Sequence, residues 1–81
     1  MEIHRFTAIF ERMPEGGYLV SVPVLPGCHT EGRTLEEAKE MAIDAIQGYC
    51  QSLIEHGEAI PGERFGEQFI GYLEVPMEVS V

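Results

Sequence analysis

Cys28 and His29 place a thiol beside an imidazole, the one pairing in this chain whose residue types could support nucleophilic chemistry, with His4 as a second possible base. A thiol nucleophile needs a lowered pKa, a base held by a third group and an oxyanion site. Neighbours on a strand point to opposite faces, so Cys28 and His29 do not readily share a task or a metal ion. Cys28 therefore reads as a small apolar residue packed behind a turn. His4, His29 and His56 are the only histidines and fall in separate segments, without His-x-x-x-His or Cys-x-x-Cys spacing. No metal or other cofactor is expected. Asp44 is the only aspartate among 14 acidic residues, and it lies where a helix should face solvent. Gly16, Gly17 and Gly27 form no phosphate-cradling run from strand to helix. No catalytic residue is assigned, and the chain reads as a non-enzyme.

The elements around these residues are set by the stretch from Val22 to Ala38. Pro23 and Pro26 each remove a backbone donor and fix φ, while Gly27 and Gly32 permit tight reversals. Thr34 followed by Glu37 predicts a capping box, with the hydroxyl accepting from the N3 amide and the carboxylate reaching back to the cap amide. Upstream, residues 3–11 set His4, Phe6, Ala8 and Phe10 on one face, and residues 18–24 set Tyr18, Val20, Val22 and Val24 on one side. With Pro14, Gly16 and Gly17 between them, the two runs predict a hairpin. Residues 28–31 form a short third strand. From Leu35 the spacing becomes helical, and Leu35, Ala38, Ala42, Ala45, Ile46, Tyr49 and Leu53 make a stripe that packs on a sheet. The helix is expected over residues 35–56 and ends at His56-Gly57. Gly48 in its middle suggests a close approach, and Glu36 faces Glu40 as a repulsive pair. Residues 58–68 read as a polar surface connection. Residues 69–81 predict a last strand, at an edge or bulged because Pro76 cannot donate to a ladder. The order is β-β-β-α-β, an α+β fold whose right-handed crossover would set the last strand parallel to the first in a four-stranded mixed sheet with one face covered by a helix.

Composition narrows the function. The 81 residues allow one domain, residues 1–81, and 44% hydrophobic with 23% charged residues is ordinary for a folded soluble chain. No apolar run is long enough to span a bilayer, and residues 1–5 lack a secretory leader's pattern, so a cytoplasmic protein with no membrane association is expected. Cys28 and Cys50 are expected as reduced thiols. The net charge of −9 opposes phosphate binding, and Arg5, Arg12, Arg33, Lys39 and Arg64 are scattered, so direct nucleic-acid binding is not expected. The acidity serves either solubility or a basic protein partner.

The ordered pattern Val22-Pro23-x-x-Pro26-Gly27-Cys28-x-Thr30-x-Gly32-x-Thr34-x-Glu36-Glu37-Ala38 resembles the signature of the HicB-like antitoxin family. Phe6-Thr7-Ala8-Ile9-Phe10-Glu11, Gly17-Tyr18-Leu19-Val20-Ser21-Val22-Pro23 and Gly57-Glu58-Ala59-Ile60-Pro61 extend the likeness over most of the first 61 residues. The resemblance implies a partial ribonuclease H-like fold and a protein that neutralises a small basic HicA-type toxin, an mRNA-cleaving protein, by direct contact. Many such proteins continue into a DNA-binding domain, and a short form acting by protein contact alone is expected here. The candidate toxin contacts are Glu36, Glu40 and Asp44 by charge and the last strand as a pairing edge, and the chain is expected to form a homo-oligomer through an exposed sheet edge or its uncovered face. The alternative is a stand-alone homo-oligomeric binding or regulatory module with a small-ligand pocket at the turn from Pro26 to Thr30, again without enzymatic activity.

Overall fold

The alternating runs do form a hairpin in the computed structural model, which describes residues 2–62, 69 and 71–80. Strand β1 (Ile9–Arg12) pairs antiparallel with β2 (Tyr18–Ser21), setting Phe10 opposite Val20. Gly16 and Gly17 make the reversal at φ of 101° and 85°, where a side chain is disfavoured, and Met13 N–H donates to the Gly17 carbonyl at 3.0 Å. β1 is shorter than the alternation suggests because β2 turns out of the sheet at Val22, leaving residues 2–8 outside the ladder.

Two consecutive reversals then return the chain. Leu25 N–H donates to the Val22 carbonyl and Cys28 N–H to the Leu25 carbonyl, both at 3.0 Å, and Val22 N–H closes the loop on the Cys28 carbonyl at 3.1 Å. Pro23 and Pro26 each follow the first residue of a reversal, where a fixed φ helps and no donor is needed, and Gly27 takes φ 80°. Leu25 is folded inside at 1% exposure. Strand β3 (His29–Gly32) pairs antiparallel with β2, completing a three-stranded sheet in the order β1-β2-β3.

Helix α1 (Leu35–Glu55) starts where the Thr34 hydroxyl accepts from Glu37 N–H at 3.1 Å. Only this half of the expected capping box is made. The Glu37 carboxylate instead accepts from Arg33 Nε at 3.2 Å, a charge-assisted bond. The helix ends in a Schellman motif, with Gly57 N–H donating to the Ile54 carbonyl and Glu58 N–H to the Leu53 carbonyl, and with Gly57 at φ 72°. Ala38 and Ala42 pack on Val20, while Cys50 joins Val22, Leu25 and Cys28. The expected stripe is thus packed against the sheet and its loop from Ala38 to Tyr49, while Leu35 is exposed and Leu53 joins neither cluster.

The fourth strand is not formed among the described residues. Phe69 and residues 71–80 lie in no ladder, and the large apolar side chains there are exposed, Tyr72 fully. Among the described residues the sheet is three-stranded and antiparallel, without the expected fourth, parallel strand. A strand is stable only against a neighbour, and Pro76 removes one of its donors. Ile70, Val81 and residues 63–68 of the expected surface connection, with Arg64, Phe65 and Gly66, lie outside the described residues.

Two glycines that look alike in the sequence differ in their surroundings. A Cβ on Gly32 would fall 2.6 Å from Ala38 Cα and 2.9 Å from the Glu37 carbonyl carbon, whereas one on Gly48 would meet nothing within 4 Å. Gly48 therefore marks no close approach, contrary to expectation. Gly48→Ala should raise unfolding stability by about 0.5–1 kcal/mol through helix propensity. Gly32→Ala should lower it by about 1–3 kcal/mol through overpacking. Urea unfolding followed by circular dichroism measures both, and equal effects at the two positions would contradict the packing described.

Candidate protein-interaction surface

Helix α1 holds Glu36, Glu40 and Asp44 at four-residue intervals, all exposed and on the side turned from the sheet. The structure therefore brings the three predicted residues into one line on a rigid element. Lys39 lies beside it, its Nζ 3.9 Å from Glu36 Oε1, and offsets the expected repulsion between Glu36 and Glu40. Both partners are solvated, so this pair contributes little stability and leaves the line free to meet another surface.

A second acidic element is set by register alone. Val20 faces the helix, so its neighbours Leu19 and Ser21 face away. The pairings align Glu11, Leu19 and Glu31 in one row across the uncovered sheet face, with Ile9, Ser21 and His29 in the next. Glu11 and Glu31 are exposed on either side of Leu19. The sequence reading did not find this pair. Alternation in each strand was visible, but combining it with the register of two hairpins was required.

The groups weighed for nucleophilic chemistry are separated. Cys28 is buried against Val22, Leu25 and Cys50, whereas its neighbour His29 is exposed. His4 stacks on Phe6 and places Nε2 2.9 Å from Glu2 Oε1. Desolvation pushes the Cys28 thiol up from its ordinary 9.0, with a further push from nearby Cys50, and desolvation pushes Cys50 up as well. An activated thiol requires the opposite shift. Both cysteines are free. Among the described residues, no group of three or more His, Cys, Asp or Glu side chains is arranged to hold a metal ion. No helix among them is long and apolar enough to cross a membrane.

The turn from Pro26 to Thr30 is filled by the protein itself. Leu25 occupies its inside, and the Tyr49 hydroxyl donates to the Pro26 carbonyl at 2.8 Å. Hollows lie elsewhere among the described residues. One of about 580 Å³ separates the β1–β2 reversal from the helix start, lined by Glu15, Glu31, Arg33 and Glu37 among others. Another, about 670 Å³, is mainly apolar and lies between residues 2–6 and the middle of α1.

The raised thiol pKa values carry a sign. The folded chain keeps its thiols protonated at a pH where the unfolded chain ionises them, so their stabilising contribution is whole below pH 9.0 and is lost as pH rises above it. The stability difference between the wild type and Cys28→Ala should shrink between neutral and strongly alkaline pH in urea titrations. A difference that stays constant would show that the Cys28 thiol ionises equally in both states.

Comparison with known proteins places this geometry. Residues 6–73 match the family model of the HicB-like antitoxin of bacterial toxin–antitoxin systems. A UPF0150 protein of Thermoplasma acidophilum is 41% identical over 63 residues, covering 78% of this chain and 91% of that protein. Antitoxin HicB 1 of Photorhabdus laumondii is 40% identical over 76 residues, and Antitoxin HicB of Escherichia coli K12 is 34% identical over 76. Each of these alignments covers 94% of this chain but only 48% and 55% of the respective antitoxin, so the chain spans about half the length of both. With most of its length matched by the family model and by these relatives, the chain belongs to the HicB-like antitoxin family of bacterial toxin–antitoxin systems.

Proposed function

We propose that this protein neutralises a small basic HicA-type toxin that cleaves messenger RNA, acting in the cytoplasm by protein contact and without catalysis of its own. The observation that carries this reading is the exposed line of Glu36, Glu40 and Asp44 on a helix anchored to the sheet, in a chain of net charge −9. A protein that grips RNA presents positive charge to phosphates, and an acidic surface can occupy the same ground. Capture then gains from electrostatic steering, which raises association rates more than it raises affinity. The row of Glu11 and Glu31 on the open sheet face extends the acidic field to the other side. The antitoxin works as a homo-oligomer, and a fourth strand on its sheet completes the partial ribonuclease H-like arrangement.

The test pairs the purified chain with a purified small basic toxin of the HicA type. Binding should be tight, should weaken as salt rises, and should suppress RNA cleavage stoichiometrically. The triple substitution Glu36→Lys, Glu40→Lys and Asp44→Lys should slow association by at least about tenfold with a smaller change in dissociation. Unchanged association would move the contact off this helix face. Failure to bind or inhibit the toxin would remove the antitoxin reading.

A further inference from the structure

The hollow of about 670 Å³ is lined mainly by the apolar Ile3, Phe6, Ile43, Ile46, Cys50 and Ile60, with Glu2, His4 and Gln47 also on its wall. It is open because α1 lies over β2 and β3, leaving the β1 side of the layer uncovered. Its outer wall is the stretch preceding β1, which runs outside the ladder at the sheet's edge. The hollow has the position and polarity of a site for the inward side chains of one more strand.

The chain carries a segment of that description. Leu73, Val75, Met77 and Val79 alternate with Glu74, Pro76, Glu78 and Ser80, the period of a strand with one buried face. In the single chain that face is in water, with Leu73 90% and Val79 80% exposed. The molecule accordingly measures 56 × 29 × 24 Å with a radius of gyration of 16.2 Å, against about 12 Å for a compact domain of this length. An open apolar hollow and an exposed segment of strand-like alternation thus coexist in one molecule.

We infer that two copies exchange these segments, residues 71–80 of each running as a fourth strand beside residues 3–6 of the other and turning Leu73, Val75, Met77 and Val79 into the partner's hollow. A second copy is the favoured occupant because each chain supplies both the open hollow and the extended strand that fits it. One two-fold operation then fills both sites with the same contacts. The fit also respects charge. Glu74 and Glu78 share the face opposite the apolar one, so two chains of net charge −9 meet through apolar side chains and backbone with those carboxylates left in water. A ladder made through the backbone of Leu73, Val75, Met77 and Val79 is untouched by Pro76, whose missing N–H lies on the other side. That proline then interrupts the new outer edge, so assembly closes at a dimer instead of adding further strands.

This assembly deepens the self-association proposed above and does not depend on the toxin reading, and its test uses no toxin. Light scattering after size exclusion should find the full chain as a dimer. In a sample mixing isotope-labelled and unlabelled chains, filtered NMR should show contacts between the Leu73 and Val75 methyls of one chain and the Phe6 ring of another. The double substitution Leu73→Glu and Val75→Glu should weaken dimerisation at least about 100-fold while the helical circular dichroism is kept, because the segment is no part of the folded body's core. Glu74→Gln, on the opposite face, should leave the dimer intact. A wild-type monomer at all concentrations would overturn the inference. So would contacts of Leu73 with Phe6 found only within one chain, or a dimer indifferent to the double substitution.

Discussion

The seat of α1 on the end of β3 is the constraint on which the rest of the molecule depends. Gly32 closes β3 and is followed within two residues by the helix cap at Thr34, so the helix must start almost in contact with the sheet. Room exists only because Gly32 has no side chain to strike the backbone at Ala38. The same close approach explains why the helix meets Val20 with Ala38 and Ala42 instead of larger residues. Everything further along α1 inherits its distance and direction from this first turn, including the acidic line on the outer face.

The far half of the helix is held by a different device. The double reversal between β2 and β3 carries Leu25 inward and presents the Pro26 carbonyl to the Tyr49 hydroxyl. A loop of this kind is ordinarily a mobile connection, yet here it supplies one of the two largest fully buried side chains, the other being Val20. The helix is therefore fixed at its start by backbone proximity and further along by a loop. Such a fixed element can present carboxylates without ordering them at the moment of binding, which lowers the entropic cost of association.

Legibility in the sequence follows how local each interaction is. The helix bounds, the hairpin and the turn at Pro26-Gly27 depend on residues close in the chain, and their signals in periodicity, proline and glycine were sufficient. The line of Glu36, Glu40 and Asp44 was legible for the same reason, since one helix sets it. The second half of the capping box was not, because Arg33 competes for the Glu37 carboxylate and no propensity rule weighs that competition. Gly48 was misread because a glycine's chemical type does not say whether its missing side chain makes room for something. The acidic row at Glu11 and Glu31 required the register of three strands at once. The fourth strand shows the limit of such signals: alternation over residues 69–81 has the period of a strand, but periodicity says nothing about which edge, or whose, receives it.

The composition of the core ties these points together. Its buried members are Val20, Val22, Leu25, Cys28, Ala38, Ala42 and Cys50, mostly small residues, while many of the chain's larger apolar side chains stand at the surface. Small domains have little interior to spare and stabilise themselves by adding cross-links, metals or partners. Here the cysteines are unlinked thiols. What the chain does have is an unfilled apolar hollow beside residues 2–6 and, over residues 73–79, alternating apolar side chains exposed to water. An acidic exterior keeps such a chain soluble while that surface is exposed, because like charge disfavours indiscriminate contact between copies. The same charge that would steer the proposed basic partner therefore also limits apolar association to a geometry specific enough to overcome repulsion. Acidity and an incomplete core are two sides of one arrangement, in which charge decides which surfaces approach and shape decides which ones stay together.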